Sequence, residues 1–195
     1  MRKLLASLSL ATLLLVLVST SVLAGGVIKV GADVGGESEI KATAADGTSL
    51  SVNADTKTGI SIGGEYFFDL NDDLAIGAGI EYQEYQLNRK DEDEEIEFNF
   101  IPLYALGRYH ISQDFYLTGK IGYNLLQFEE NPDGAKPKGG LYYGFGGGLI
   151  FSDRYQLEIL YSIHNGRFEP EEDPGVDYKV TYKYSKIGLT VGYKF

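Results

Sequence analysis

From Leu74 the chain alternates: Leu74, Ile76, Ala78, Ile80 and Tyr82 are apolar, and Ala75, Gly77, Gly79, Glu81 and Gln83 between them are small or polar. A two-residue period places successive side chains on opposite faces, so this stretch reads as a β-strand with one apolar face. The same rhythm recurs over residues 58–68, 115–125, 141–151 and 155–163, with Gly119 a gap in the second of these. It opens at Ile28, Val30, Ala32 and Val34. It closes the chain over residues 186–195, where Ile187, Leu189, Val191, Tyr193 and Phe195 alternate with Lys186, Gly188, Thr190, Gly192 and Lys194.

One segment departs from this rhythm. Ile96, Phe98 and Phe100 favour one face, whereas beyond Pro102 the better apolar set is Ile101, Leu103, Ala105, Gly107 and Tyr109. Proline has no N–H for a ladder bond, so a register change at Pro102, such as a bulge, is predicted to reconcile the halves. With this segment the count is eight strands. Their connections alternate in kind: 69–73, 110–114 and 152–154 are short polar turns, and 37–55, 88–95, 129–139 and 166–177 are longer. Three short turns and four long loops describe an up-and-down meander with both termini on one side.

A soluble sandwich would show a richly polar face to water opposite its apolar one. Here the alternate face is crowded with glycine, as in Gly77, Gly79, Gly144, Gly146, Gly148, Gly188 and Gly192. Small residues mixed with a few long ones suit the interior of a narrow closed barrel, which at about eight strands is filled by side chains. An apolar outer wall belongs in hydrocarbon, where unpaired strand edges are forbidden and closure is forced. The expected fold is an eight-stranded antiparallel transmembrane β-barrel, with short turns facing the periplasm and four longer loops facing outward.

The amino terminus agrees. Met1, Arg2 and Lys3 are followed by an apolar run from Leu4 to Val18 and by Val22-Leu23-Ala24, the pattern of a secretory signal peptide cleaved between Ala24 and Gly25. The run is too short for a spanning helix, which needs ~20 residues. The division is therefore a signal peptide over 1–24 and one barrel domain over 25–195. Loss of Arg2 and Lys3 would take the formal charge from −11 to −13. That balance carries no basic nucleic-acid footprint, and the absence of cysteine excludes disulfides and a lipid-anchoring thiol.

Three groups of residues bear on chemistry. Lys29, Glu65, Glu81, Arg108, Lys120 and Glu158 occupy alternate-face positions of separate strands, where they are expected to pair across the lumen as a plugging ionic network, because buried charge persists only when paired. Of the two histidines, His110 falls in a short turn. His164 follows Ser162 by two on one face near the outer end of its strand and is expected to be a solvated rim residue. The acidic runs around Asp91, Glu92 and Asp93 and around Glu169–Asp173 are weak candidates for Ca²⁺ or Mg²⁺, since they lack the glycine-punctuated spacing of a calcium loop. No metal or other cofactor is expected.

The signal peptide, the eight alternating segments, the run Ile101-Pro102-Leu103-Tyr104-Ala105-Leu106-Gly107-Arg108-Tyr109 followed by Phe115-Tyr116-Leu117-Thr118-Gly119-Lys120-Ile121-Gly122-Tyr123, and the terminal Gly192-Tyr193-Lys194-Phe195 resemble the small outer-membrane β-barrel proteins of the OmpA/OmpX type. The resemblance implies a monomer integral to the outer membrane of a Gram-negative-type bacterium, with both termini periplasmic and the wall in contact with membrane lipid and lipopolysaccharide. It also implies insertion by the barrel assembly machinery, with Tyr193 and Phe195 as its C-terminal signal. No peptidoglycan-binding domain follows Phe195, so tethering through one is not expected.

The expected function is a structural or surface-interaction role, without enzymatic activity. The alternative is a small, porin-like channel or binding barrel for apolar molecules, which needs an opening such as the one hinted at by Pro102. Less favoured is a lipid A-modifying enzyme, because the order of Ser162 and His164 is the reverse of the deacylase pattern.

Overall fold

The structure, a computed structural model, describes residues 25–44, 46–55, 58–87, 96–128, 136–169 and 178–195. Nine strands account for most of them: β1 (Gly26–Ala44), β2 (Ser49–Asp55), β3 (Ile60–Asp69), β4 (Leu74–Leu87), β5 (Ile96–His110), β6 (Phe115–Phe128), β7 (Lys136–Phe151), β8 (Tyr155–Glu169) and β9 (Tyr178–Lys194). Each wall strand pairs antiparallel with the next, and β9 returns to β1, so the sheet closes on itself.

Eight strands circle the ring, because β2 and β3 are two pieces of one. Both pair with β1 at the same offset, Glu37 opposite Asp55 in β2 and Gly26 opposite Tyr66 in β3. The interruption lies between Asp55 and Ile60, where the Asp33 N–H donates to the Gly59 carbonyl at 3.0 Å. The segment 37–55, read from sequence as a loop, is therefore mostly a hairpin. β1 runs on to Ala44, turns where Asp46 Oδ1 accepts from the Thr48 N–H at 2.8 Å, and comes back as β2.

Successive pairs fix the stagger of the barrel. Stepping from Val27 through Glu65, Gly79, Tyr104, Gly122, Tyr142, His164 and Tyr184 leads back to β1 at Ser38. That is eleven residues along β1, one of them the extra residue of a bulge between Asp33 and Gly35. The remaining ten are an even stagger, which keeps inward side chains inward after a full turn.

The bulge also inverts the polarity of the wall. Below it, Lys29 and Asp33 point inward and are buried, and Val30 on the outer face is exposed. Above it, the row Ile40–Val52–Tyr182 shares the inner face with buried Ser38 and Tyr184, and the outer rows read Glu39–Asn53–Lys183 and Lys41–Ser51–Thr181. An apolar outside belongs in hydrocarbon and a polar outside in water, so the bulge lies at the edge of the apolar belt. Within the belt the arrangement is inside-out relative to a soluble protein: Leu103, Ile121 and Phe145 are 60%, 60% and 67% exposed, while Lys120 and Glu158 are 4% and 1% exposed.

Interior glycines make room for interior rings. A β-carbon at Gly79 would sit 2.6 Å from the Tyr104 ring, and one at Gly148 would sit 2.4 Å from that of Tyr116. The short turns follow their sequence chemistry. Asn71 Oδ1 accepts from the Asp73 and Leu74 amides, Ser112 Oγ accepts from the Phe115 amide, and Ser152 and Asp153 take the left-handed conformation at φ 55° and 58°.

The register change predicted at Pro102 is not there. Ile80 pairs with Leu103 and Gln83 with Phe100 at one constant offset, and the β5–β6 ladder runs through Pro102 opposite Asn124 without a shift. Proline merely omits the pairing with β4 between those points. Phe100 points inward on the same face as Tyr104 because the outer half of the lumen is itself aromatic, which leaves nothing for a bulge to reconcile. The proposed cleavage residue Ala24 and the acidic residues Asp91, Glu92 and Asp93 lie outside the described residues.

Candidate functional site

The lumen is filled in two layers. In the layer nearer the short turns, two carboxylates from opposite parts of the wall share the same cations. Lys120 Nζ donates to Glu65 Oε1 at 2.7 Å and to Glu158 Oε1 at 3.0 Å, and Lys29 Nζ donates to Glu65 Oε1 at 3.1 Å and also to Glu158 Oε1. Each carboxylate also accepts from a tyrosine: Tyr104 Oη donates to Glu65 at 2.9 Å, and Tyr116 Oη to Glu158 at 3.1 Å. Arg108 closes the layer from below, with Nη2 at 3.8 and 3.9 Å from the two carboxylates and its guanidinium 4.0 Å from the centres of both the Phe67 and Tyr116 rings. Ions this far from water are held only where partners replace their hydration, and here each carboxylate has three cationic neighbours.

Five of the six residues anticipated for an ionic network thus meet. The sixth, Glu81, is buried above them and accepts from Gln83 Nε2 at 2.6 Å. A further pair went unread: Lys186 Nζ lies 2.8 Å from Asp33 Oδ1, both side chains buried. Both residues occupied the polar parity of their strands, but only the stagger between β1 and β9 brings them to one height. Asp33, Glu81, Lys120 and Lys186 border a void of about 10 Å³ between the layers. That is the lower limit for a single water molecule.

The outer layer is aromatic and centred on His164. Its Nδ1 lies 3.2 Å from Asn124 Oδ1, and its Nε2 lies 3.2 Å from Ser162 Oγ. Since Asn124 Nδ2 donates to the Asn165 carbonyl at 3.5 Å, the Oδ1 atom faces the ring and accepts from Nδ1–H, which leaves Nε2 to accept from the Ser162 hydroxyl. Phe100 stacks on the imidazole at 5.1 Å, and Tyr142 and Tyr184 pack around it at 4.9 and 5.9 Å between centres. The residue read from sequence as a solvated rim histidine is fully enclosed, at 0% exposure. The spacing of Ser162 and His164 indicated a shared inward face, but only closure of the barrel brings Asn124 and the rings from other strands around them. Serine, histidine and asparagine here have the order of a nucleophile, base and orienting group, yet none of the three is open to a substrate.

Above this layer the inner face of β1, β2 and β9 continues as an apolar wall around the outer mouth. At the opposite end Tyr193 packs edge-on against Tyr155 and Phe195 at 5.4 and 5.3 Å, Arg154 Nη1 donates to Tyr193 Oη at 3.0 Å, and the Phe195 N–H donates to the Gly26 carbonyl at 3.0 Å. The final aromatic residue is thus part of the β9–β1 seam, with an aromatic ring of neighbours around it.

Three solved structures of similar fold are distant in sequence. Neisserial surface protein A is 16% identical with a TM-score of 0.48, the alignment covering 86% of this chain and 97% of that one. The outer membrane protein OprG from Pseudomonas aeruginosa is 17% identical with a TM-score of 0.47, covering 88% and 96%. Ail, the attachment invasion locus protein of Yersinia pestis, is 17% identical with a TM-score of 0.43, covering 88% and 99%. No curated protein matches the sequence. The family model described as the outer membrane protein beta-barrel domain matches residues 10–195, nearly the whole chain with its closed ring of eight wall strands. The chain belongs to the outer membrane β-barrel protein family and is an integral outer-membrane protein.

Proposed function

We propose that this barrel is a closed, side-chain-filled membrane anchor whose work is done at its external surface, as a monomeric structural or surface-interaction protein. The observation that carries the reading is the lumen itself. Two packed layers, one ionic and one aromatic, lie across it, and the void between them is about 10 Å³. A hydrated ion needs far more room than one water site. In this reading the short turns and both termini are periplasmic, the hairpin β1–β2 projects outward, and the wall meets membrane lipid and lipopolysaccharide. A non-enzymatic role is supported by the enclosure of Ser162 and His164, whose polar atoms are engaged with each other and with Asn124.

Purified protein inserted into planar bilayers tests the closed lumen. No stable single-channel steps are expected at neutral pH and moderate salt. Reproducible steps would replace this reading with that of a small channel.

A further inference from the structure

The inner ionic layer is uneven in charge. Three cations, Lys29, Lys120 and Arg108, share the carboxylates of Glu65 and Glu158, so one positive charge is left over. Glu81 offsets it only from the outer side, where it borders the void beside Lys120. The least satisfied cation is Arg108, the one nearest the short turns. Its approaches to Glu65 and Glu158, at 3.8 and 3.9 Å, are too long for hydrogen bonds, and its Nε and Nη2 have no acceptor among the described residues. With the Phe67 and Tyr116 rings both 4.0 Å from the guanidinium carbon, a new partner reaches Arg108 along its N–H edge.

The barrel end beyond Arg108 holds a cup of about 240 Å³. Gln156 lines it beside Arg108; the two are 3% and 5% exposed, and Gln156 Nε2 likewise has no acceptor among the described residues. Two buried side chains with unpaired donors thus border one space, although such groups are normally satisfied. Farther out, the exposed carboxylates Asp69 and Asp153 are matched in number by Arg154 and Lys194, so the cup keeps an excess of positive charge. Gly25, the expected first residue of the mature chain, is also in the lining. Cleavage there removes the residues before it and adds an α-ammonium group. A flat guanidinium edge and a carboxamide suit a planar carboxylate, and the apolar lining residues Val27, Phe67 and Ile150 suit a short hydrocarbon.

We propose that this cup binds a small organic carboxylate, held by the N–H edge of Arg108 and the amide of Gln156 with its hydrocarbon part against Val27, Phe67 and Ile150. The bound anion completes the charge balance of the inner layer from the open side. The site goes beyond the surface-interaction reading, and it does not depend on which compartment the short turns face.

The test uses the mature chain in phosphatidylcholine nanodiscs, with isotope-labelled arginine. Sodium acetate is titrated against sodium chloride at matched ionic strength, and saturation-transfer NMR of the acetate methyl group reads binding. Saturable binding is expected, with the Arg108 Nε–H resonance shifting at the same midpoint. Acetamide, the neutral analogue, and protein-free nanodiscs are expected to give no saturable response. Arg108→Gln leaves two lysines with two glutamates, so it is expected to keep the heat-dependent electrophoretic shift of a folded barrel while weakening acetate binding at least tenfold. Gln156→Met changes no charge and is expected to weaken binding about fivefold; it carries the test if Arg108→Gln does not fold. Absence of saturation, which would mean that water alone fills the cup, would overturn the proposal. So would an equal response to acetamide or chloride, or unchanged affinity in the folded variants. Tighter binding of inorganic phosphate than of acetate would overturn the assignment to a carboxylate. Conductance in planar bilayers would end the closed-lumen reading and leave the acetate result as it stands, because the cup lies outside the ionic layer.

Discussion

Glu65 and Glu158 show how single residues were legible here. Each is a charge at a small-residue parity position, flanked on either side by residues of the opposite face, so their inward direction follows from local alternation alone. Their partners could be named as a set, because buried carboxylates require cations, but not assigned one to one. Which lysine reaches which glutamate depends on the stagger, and Asp33–Lys186 was missed for that reason. The network predicts its own weak points. Lys120→Met leaves two buried carboxylates with one lysine and a distant arginine, and is expected to destabilise the barrel by about 3–5 kcal/mol in urea unfolding from lipid vesicles. Adding Glu65→Gln, which leaves Glu158 with both remaining cations, is expected to recover more than half of that loss. A double variant no more stable than the single one would show that geometry, not charge balance, limits the layer.

Among the elements, β1 is one that sequence alone misreads, as it misreads β5 at Pro102 and takes β2 for loop. Its even-numbered positions are apolar at Ile28, Val30 and Ala32 and again at Ile40 and Ala42, yet the extra residue Val34 puts Ile40 and Ala42 on the inner side. Below the bulge the wall faces hydrocarbon and above it water, so the same alternation serves opposite solvents. Inserting one alanine after Gly36 would put Glu39 and Lys41 in the inward places of Ile40 and Ala42, over the aromatic layer, whereas Val34 is the extra residue and its loss alone would leave the stagger even. The insertion is the informative variant. The folded fraction after refolding into vesicles, read as the heat-shiftable band, is expected to drop about fivefold or more, the change that roughly 1 kcal/mol makes. The same insertion after Asp133, in the connection between β6 and β7, is expected to leave that fraction near wild type. Equal yields from the two insertions would show that the facing of Ile40 and Ala42 does not matter to folding.

On the scale of the whole molecule, the ring is only as good as its seam, and the seam is formed by the last strand made. β9 pairs with β1 along nearly its full length, and the Phe195 amide adds a hydrogen bond to Gly26 at its end. An untidy apolar terminus is therefore part of the wall. Removing Phe195 costs the finished barrel one terminal bond and one half-exposed ring, a small loss, whereas the terminal aromatic is the feature implied for recognition by the assembly machinery. Deletion of Phe195 is expected to lower the amount of protein reaching the outer membrane in cells several-fold while the unfolding midpoint of the protein that is inserted changes little. Normal insertion, or a large drop in midpoint, would remove the assembly role.

The division between sequence and tertiary structure follows from which interactions are local. Alternation is a property of adjacent residues, so the strands, the apolar belt, the turn chemistry at Asn71 and Ser152-Asp153, and the inward direction of Lys29, Arg108 and Lys120 were determined by the chain itself. Closure is a property of residues far apart in sequence. Only the ring's ten-residue stagger decided that Asp33 meets Lys186, that Asn124 orients His164, and that Phe100 enters an aromatic layer in place of a lipid-facing row. The bulge at Val34 belongs to the same class: nothing in its neighbours requires it, but an even stagger around a closed wall, with hydrocarbon outside below and water outside above, does.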